Sequence, residues 1–352
     1  MNKIVLLGDT HFGVRNDSKA FHKYYEKFYR DTLFPYLDEH KINTVVQLGD
    51  LFDRRKYINF LSLSESRRYF FDPLYERNID LYALIGNHDI FWKESLSINS
   101  PDLLLKDYSN VNLINEPTTL DIYGFELDAV PWICKENEKD VYDFIVNSTS
   151  KVCVGHFEIK GFELSKGVEN HEGLDRNIFK RYNAVYSGHF HTRSSSGNIT
   201  YLGTPYELFW NDFQDPKGFY VLDTDTLEIE FIKNPNEMFV KYYYNEEKED
   251  PRSVDKSFAE DKFVKVIVVD KKDFGMFDNF IDAIYKHNPV EVKIIEDLTE
   301  FESSALDDNI NLEDTMTLLS EYVDGIETDA DKERLKGILK ELYVEAHDYE
   351  ET

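Results

Sequence analysis

Cysteine is nearly missing from this chain: two residues in 352, Cys134 and Cys153, with no Cys-x-x-Cys spacing. That excludes a disulfide framework and a zinc finger, and the expectation is two buried, reduced thiols. Long apolar runs are missing as well. Ile4 to Leu7, behind Met1-Asn2-Lys3, is far too short for a signal peptide. No later stretch approaches the roughly 18 to 20 apolar residues of a membrane span, so a soluble, unsecreted chain with no membrane partner is expected. Basic residues are in deficit, 40 Lys and Arg against 68 Asp and Glu, for a net charge of −28. Phosphate attraction comes from clustered Lys and Arg, so this balance argues against a protein that holds nucleic acid over its whole surface.

What the chain does have is aromatic weight, 15% Phe, Trp and Tyr within 41% hydrophobic residues. With apolar runs bounded by Gly and Pro, that composition folds despite 31% charged residues. A length of 352 residues suits one large domain with one or two small appendages. Up to residue 90, strands alternate with helices: Ile4 to Leu7, a helical stretch Ser18 to His40, Thr44 to Leu48, a helical stretch near Leu61 to Tyr75, then Leu81 to Ile85. Phe21, Tyr24, Tyr25, Phe28 and Leu33 share a 3.6-residue period, and Pro35 is expected to kink or end that helix. The alternation predicts an α/β sheet. Short strands dominate from 111 to 245, including Lys151 to Val154, Ala184 to Tyr186, Gly218 to Leu222 and Leu227 to Ile232, which predicts a second sheet packed on the first.

Residues 246 to 260 lose apolar periodicity and read as a linker closing a domain at 1–245. Phe263 to Val269, then Phe274, Phe277, Phe280, Ile281 and Ile284 on one helical face, then Val292 to Ile295 predict a small α+β domain at 261–297. Two amphipathic helices are expected at 306–352, on Leu312, Met316, Leu319 and Val323, then Leu335, Ile338, Leu339, Leu342 and Ala346. Thr328 with Asp331 suits a capping box for the second. Such a pair either packs back on its own domain or docks on a partner.

Five short motifs stand at expected strand ends: Asp9-Thr10-His11, Gly49-Asp50, Gly86-Asn87-His88-Asp89, Gly155-His156 and Gly188-His189-Phe190-His191. Any one alone reads as a cap or turn. All five in this order put carboxylate, amide and imidazole donors where α/β sheets bind ligands. Hydrolysis of a phosphodiester needs a nucleophile at neutral pH and compensation for charge growing on oxygen. Two metal ions about 3.5 to 4 Å apart supply both, given a shared carboxylate and three or four further ligands each. The mixed donors suit manganese or iron, with zinc next, better than calcium.

This motif order resembles the calcineurin-like metallophosphoesterases. Gly8-Asp9-Thr10-His11-Phe12-Gly13 and Gly49-Asp50-Leu51-Phe52-Asp53-Arg54 resemble more narrowly the SbcD/Mre-eleven type nuclease subunits, as do Tyr201-Leu202-Gly203-Thr204-Pro205 and Pro216-Lys217-Gly218-Phe219. The likeness covers residues 1 to about 245, and the shape and length of the tail resemble the recombination nuclease subunit of tailed phages. It implies a four-layer αββα sandwich with a small α+β capping domain and a helical C-terminal tail. The implied activity is metal-dependent exo- or endonuclease cleavage at double-stranded DNA ends, in recombination, repair and replication. The implied cofactors are two divalent ions, Mn2+ first with Fe2+, Mg2+ or Zn2+ as alternatives. The implied partner is an SMC-like ATPase of SbcC type docking on the C-terminal helices, in a cytoplasm that is the host's if the chain is phage-encoded. A homodimer through the first helices stays open.

Carried over motif by motif, the resemblance gives Asp9, His11 and His191 to one metal, Asn87, His156 and His189 to the other, and Asp50 to both. His88 then faces the scissile phosphate, with Asp89 expected to orient it. Some relatives carry a His where this chain has Asp53, which leaves an auxiliary role there open. Arg54, Arg55 and Lys56 are the best cluster for phosphate-backbone contacts, with Arg67 and Arg68 as further candidates; the other reading of each is an ordinary solvated loop. A metallophosphatase of nucleotides or phosphoproteins is the alternative, since the same motifs serve it, but the extra domain and tail favour the nuclease. A non-enzymatic scaffold on a degenerate fold is disfavoured because no ligand position is empty.

Overall fold

The structure, a computed structural model, describes residues 3–165 and 168–296 and the single positions 323, 332 and 336. Residues 1–294 form one compact unit and 295–352 a second. Those three positions aside, the helices expected at 306–352 lie outside the described residues.

Two six-stranded sheets build the first unit. One runs Ile229–Lys233, Gly218–Asp223, Lys3–Leu7, Thr44–Gln47, Asp80–Leu84, Val111–Ile114. The last four strands are parallel; Gly218–Asp223 pairs antiparallel with Lys3–Leu7, and Ile229–Lys233 pairs antiparallel with Gly218–Asp223. The other runs Ser194–Ser196, Ile199–Tyr201, Ala184–Gly188, Val152–His156, Phe125–Val130, Thr118–Ile122, with its four middle strands parallel.

Strand period 2 explains why these segments read as unbroken apolar runs: both faces are buried. Val5, Leu7, Val45, Leu81 and Ala83 join a helical core, whereas Ile4, Leu6, Val46, Leu48 and Leu84 meet Leu127, Ala129, Val152, Val154 and Tyr186 of the second sheet. On the far side of that sheet Val130, Cys153 and Val185 pack with Val141 and Ile145 of the helix Glu138–Asn147. The layers are therefore α, β, β, α, as expected. Cys134 and Cys153 are both buried and unbridged.

Pro35 neither ends nor breaks its helix. Lys19–Phe28 passes through a π-helical turn, Tyr29–Leu33, into Phe34–His40. The same device recurs in the second helical stretch, where Arg67–Phe71 is π-helical directly before Asp72-Pro73. A wider turn removes the clash between a proline ring and the carbonyl four residues back, so the chain continues.

The expected boundary at 245 needs correction. Phe239–Asn245 is a strand of a separate three-stranded sheet, parallel to Phe263–Asp270, which is followed by Glu291–Ile295. Residues 246 to 260 thus connect two strands of one small sheet and are no interdomain linker. Tyr244 shows why: it is buried among Phe277, Phe280 and Ile284, the face of the helix Phe274–Tyr285 that covers this sheet. Phe274, expected on that face, is 69% exposed instead. Among the described residues, no helix is long and apolar enough to cross a membrane.

Candidate metal centre

All five motifs converge at the C-terminal ends of the parallel strands of both sheets. Close approach of the loops depends on glycine. A Cβ on Gly49, which sits at φ +99°, would collide with the His156 ring, and one on Gly86 would collide with the Asp50 carboxylate. Three of the motif residues themselves lie in the left-handed region, His11 at φ 43°, Asp50 at 54° and His189 at 85°. Such backbone costs on the order of 1–3 kcal/mol per residue and persists only where surroundings over-determine it. Here the N–H groups of Thr10 and His11 both donate to the Asp50 carbonyl, at 3.1 and 3.0 Å. The His88 N–H donates to Asp50 Oδ1 at 2.7 Å, and the His189 N–H to Asp9 Oδ2 at 2.9 Å. Tyr206, stacked on Tyr25, donates its hydroxyl to the Thr10 carbonyl at 2.7 Å, tying the first loop to the helical layer.

The side chains form three groups able to hold an ion; His11, Asp53 and His88 make one of them, and the other two lie around one carboxylate. Asp9, His11 and His191 make the first, with the two Nε2 atoms facing each other at 3.1 Å. Asp50, His156 and His189 make the second, and Asn87 Oδ1 lies 2.8 Å from His156 Nε2 and 3.1 Å from His189 Nδ1. Asp50 Oδ2 stands between them, 3.3 Å from His156 Nε2 and 3.8 Å from His11 Nε2. His156 Nδ1 is held by the Leu48 carbonyl at 2.7 Å, which fixes its Nε2 as the nitrogen turned inward.

Burial pushes the Asp9 carboxyl up to about 6, eased by His156 and reinforced by the charge on Asp50. Burial acts the same way on Asp50, but His156 and His88 outweigh it and hold that carboxyl well below the usual range. His11 and His156 resist burial because of the carboxylates beside them, and both rise to about 9. Burial and the His156 charge push His189 down to about 3, and burial with His11 holds His191 well below its ordinary value. Each of the two groups around Asp50 thus pairs one cationic imidazole with one neutral one. Protons on His11 and His156 supply the positive charge the buried carboxylates require, which is the charge a divalent ion would bring in exchanging for them. The donor set, carboxylate, amide and imidazole, fits such ions.

Residues 2–193 match the calcineurin-like phosphoesterase family. The chain belongs to that family. Exonuclease subunit 1 of Enterobacteria phage T4 is 34% identical over 347 residues, covering 98% of this chain and 99% of its own. The DNA double-strand break repair protein Mre11 of Methanocaldococcus jannaschii is 26% identical over 328 residues, covering 87% of this chain and 79% of its own. A solved archaeal phosphodiesterase aligns over 66% of this chain and 99% of its own, at 11% identity and a TM-score of 0.34.

In this phosphoesterase Asp89 does not orient His88. Its carboxylate is fully buried and accepts the N–H groups of Gly86, Leu51 and Phe52 at 2.9, 3.3 and 3.1 Å, stapling the second motif to the third. The His88 ring is oriented by Asp53, whose carbonyl lies 2.6 Å from His88 Nδ1. Arg54 is turned back onto Asn16 Oδ1 at 2.6 Å and Asp17 Oδ2 at 3.1 Å, so only part of the expected basic cluster points outward. Lys56 is exposed and Arg55 half-buried. Arg68 is paired with Glu26 and Glu65, both at 2.6 Å, and Arg67 donates to the Leu104 carbonyl, which removes both from the phosphate-contact set.

Trp132 escapes the motif reading, and Lys217, which falls within Pro216-Lys217-Gly218-Phe219, is given no role there. Trp132 lies with its ring 5.2 Å from His189 and 5.9 Å from His156, walling the second group. It follows the strand Phe125–Val130, the same strand-end position as every motif, but carries no ligand chemistry to draw the eye. Lys217 is buried, pairs with Asp212 at 2.7 Å and Asp215 at 2.8 Å, and donates to the His191 carbonyl at 2.8 Å, anchoring the last loop.

Proposed function

We propose that this phosphoesterase is a metal-dependent DNA nuclease, hydrolysing phosphodiesters at two divalent ions in DNA end processing, recombination and repair. The observation that carries the reading is the position of Asp50 Oδ2 between His156 Nε2 and His11 Nε2, one carboxylate serving two donor groups. Near full-length similarity to an exonuclease subunit supports DNA as the substrate.

Asp9, His11 and His191 would hold one ion, Asn87, His156 and His189 the other, with Asp50 available to both; manganese suits this donor mix best, ahead of iron, magnesium and zinc. When bound, such a pair activates water and offsets charge on the phosphoryl and leaving oxygens. His88 donates Nδ1–H to the Asp53 carbonyl, so its Nε2 is the atom that protonates the leaving oxygen or steadies charge there. Asp89, Tyr206 and Lys217 hold the loops of the first, second, third and last motifs in register. Lys56, with Arg55 beside it, positions the backbone of the duplex without reading sequence.

A net charge of −28 fits a subunit that borrows affinity for DNA from a partner. We assign that role to an SMC-like ATPase of SbcC type, bound through residues 306–352, in the cytoplasm, with a homodimer of the nuclease as the assembly's second contact. Purified chain, given linear duplex DNA and a small phosphomonoester in parallel with Mn2+ or chelator, degrades the duplex in a Mn2+-dependent way. Turnover of the phosphomonoester with the duplex intact, even beside a co-expressed ATPase, would move the chain to the phosphatase reading.

A further inference from the structure

Asp53 touches the site twice, through different atoms. Its carboxylate Oδ1 lies 3.3 Å from His11 Nδ1, and its carbonyl oxygen lies 2.6 Å from His88 Nδ1. The rings of His11 and His88 stand edge to face with centroids 4.9 Å apart, so one residue borders both. Asp53 is itself fixed, its N–H donating to the Phe12 carbonyl at 3.1 Å, which makes it a rigid reference point between the first two motifs.

From this geometry we infer that Asp53 is a positioning residue with two separable roles: its carboxylate orients His11 for metal, and its carbonyl orients His88 for proton transfer. The inference rests on the proposed two-ion site. A ligating imidazole holds its metal through one nitrogen and is aimed by an acceptor on the other, which also raises its basicity as a ligand. His11 Nε2 faces His191 and Asp50, the metal side, so Nδ1 is the nitrogen to be aimed. That atom is buried and faces Asp53 Oδ1 at 3.3 Å. His88 is served differently. Every residue type at position 53 keeps a carbonyl, so a side-chain substitution there removes the first role and leaves the second.

The separation is testable by titrating Mn2+ into metal-free protein by calorimetry, without substrate, for wild type, Asp53→Ala and Asp53→Asn. Wild type takes up two ions. In Asp53→Ala one of the two affinities falls about 10- to 100-fold, the range for losing the group that aims a ligating histidine. Asp53→Asn keeps an oxygen acceptor and falls between the two. At saturating Mn2+, kcat on linear duplex falls less in both variants than in His88→Ala, because the His88 contact survives; matching melting curves establish that both variants fold. Equal Mn2+ affinities in wild type and Asp53→Ala would overturn the carboxylate's role while leaving the two-ion site standing. A kcat lost at saturating Mn2+ with affinity intact would overturn the separation. Uptake of three ions by wild type and two by Asp53→Ala would make Asp53 a ligand and overturn the inference. A wild-type chain that binds no Mn2+ would remove the two-ion site, and the inference with it.

Discussion

His88 stands with Nδ1 2.6 Å from the main-chain carbonyl of Asp53, so the proton on that nitrogen is committed and its Nε2 is the nitrogen left for chemistry. A backbone acceptor cannot be lost by mutation, which makes the side chain of His88 the separable part of the pair. His88→Ala is expected to lower kcat on linear duplex DNA by about 10²- to 10⁴-fold, the usual worth of a positioned acid or base. Mn2+ uptake should be unchanged, since His88 lies outside both proposed donor sets. Equal loss of metal and activity would make His88 a structural residue.

Asp89 invites the opposite expectation. Its carboxylate serves three buried N–H groups, those of Gly86, Leu51 and Phe52. Asp89→Ala should therefore cost stability first, on the order of 3 kcal/mol or more, because each orphaned buried donor costs about 1–3 kcal/mol. Urea unfolding followed by circular dichroism reads this directly, and a midpoint equal to wild type would contradict it.

Lys217 holds two buried or partly buried carboxylates and the His191 carbonyl. Lys217→Met preserves much of the volume but leaves Asp212 and Asp215 without their cation. Breaking a buried pair from one side costs about 3–5 kcal/mol. The variant should unfold at clearly lower urea, and any residual folded protein should bind Mn2+ more weakly through the loosened His191 loop.

Motif residues were legible in the sequence because strand ends in an α/β sheet are marked by a change from apolar run to Gly and polar side chain. Asp9, Asp50, Asn87, His156, His189 and His191 all sit where that rule puts them. What the sequence concealed is contact between loops. Asp89 adjoins His88 in the chain, yet the turn aims its carboxylate at three N–H groups, and Asp53, thirty-five positions earlier, reaches the ring instead. Arg68 looked available until its neighbours in space, Glu26 and Glu65, were known. Likewise Phe239–Asn245 reads as the end of a large domain, since nothing local tells a strand which sheet it will join; pairing with Phe263–Asp270 decides that.

Glu207 sets a pH dependence away from the metal ligands. It is buried, accepts the N–H groups of Met238 at 2.5 Å and Phe239 at 3.0 Å, and burial pushes its carboxyl up to about 7. A raised folded-state value means the folded chain binds the proton more tightly than the unfolded chain. Its contribution is fully present below the ordinary carboxyl value of about 4.3 and is lost as pH rises through about 7. Wild type should lose on the order of 3 kcal/mol across that window relative to Glu207→Gln, which cannot titrate. Urea midpoints measured from pH 5 to 8 that run parallel in the two proteins would contradict this.

The most direct test of the two-ion site is a crystal structure of the chain grown with Mn2+ and read by anomalous scattering. Two peaks are expected, one against Asp9, His11 and His191 and one against Asn87, His156 and His189, with the Asp50 carboxylate touching both. A single peak, or two peaks with Asp50 serving only one, would contradict it.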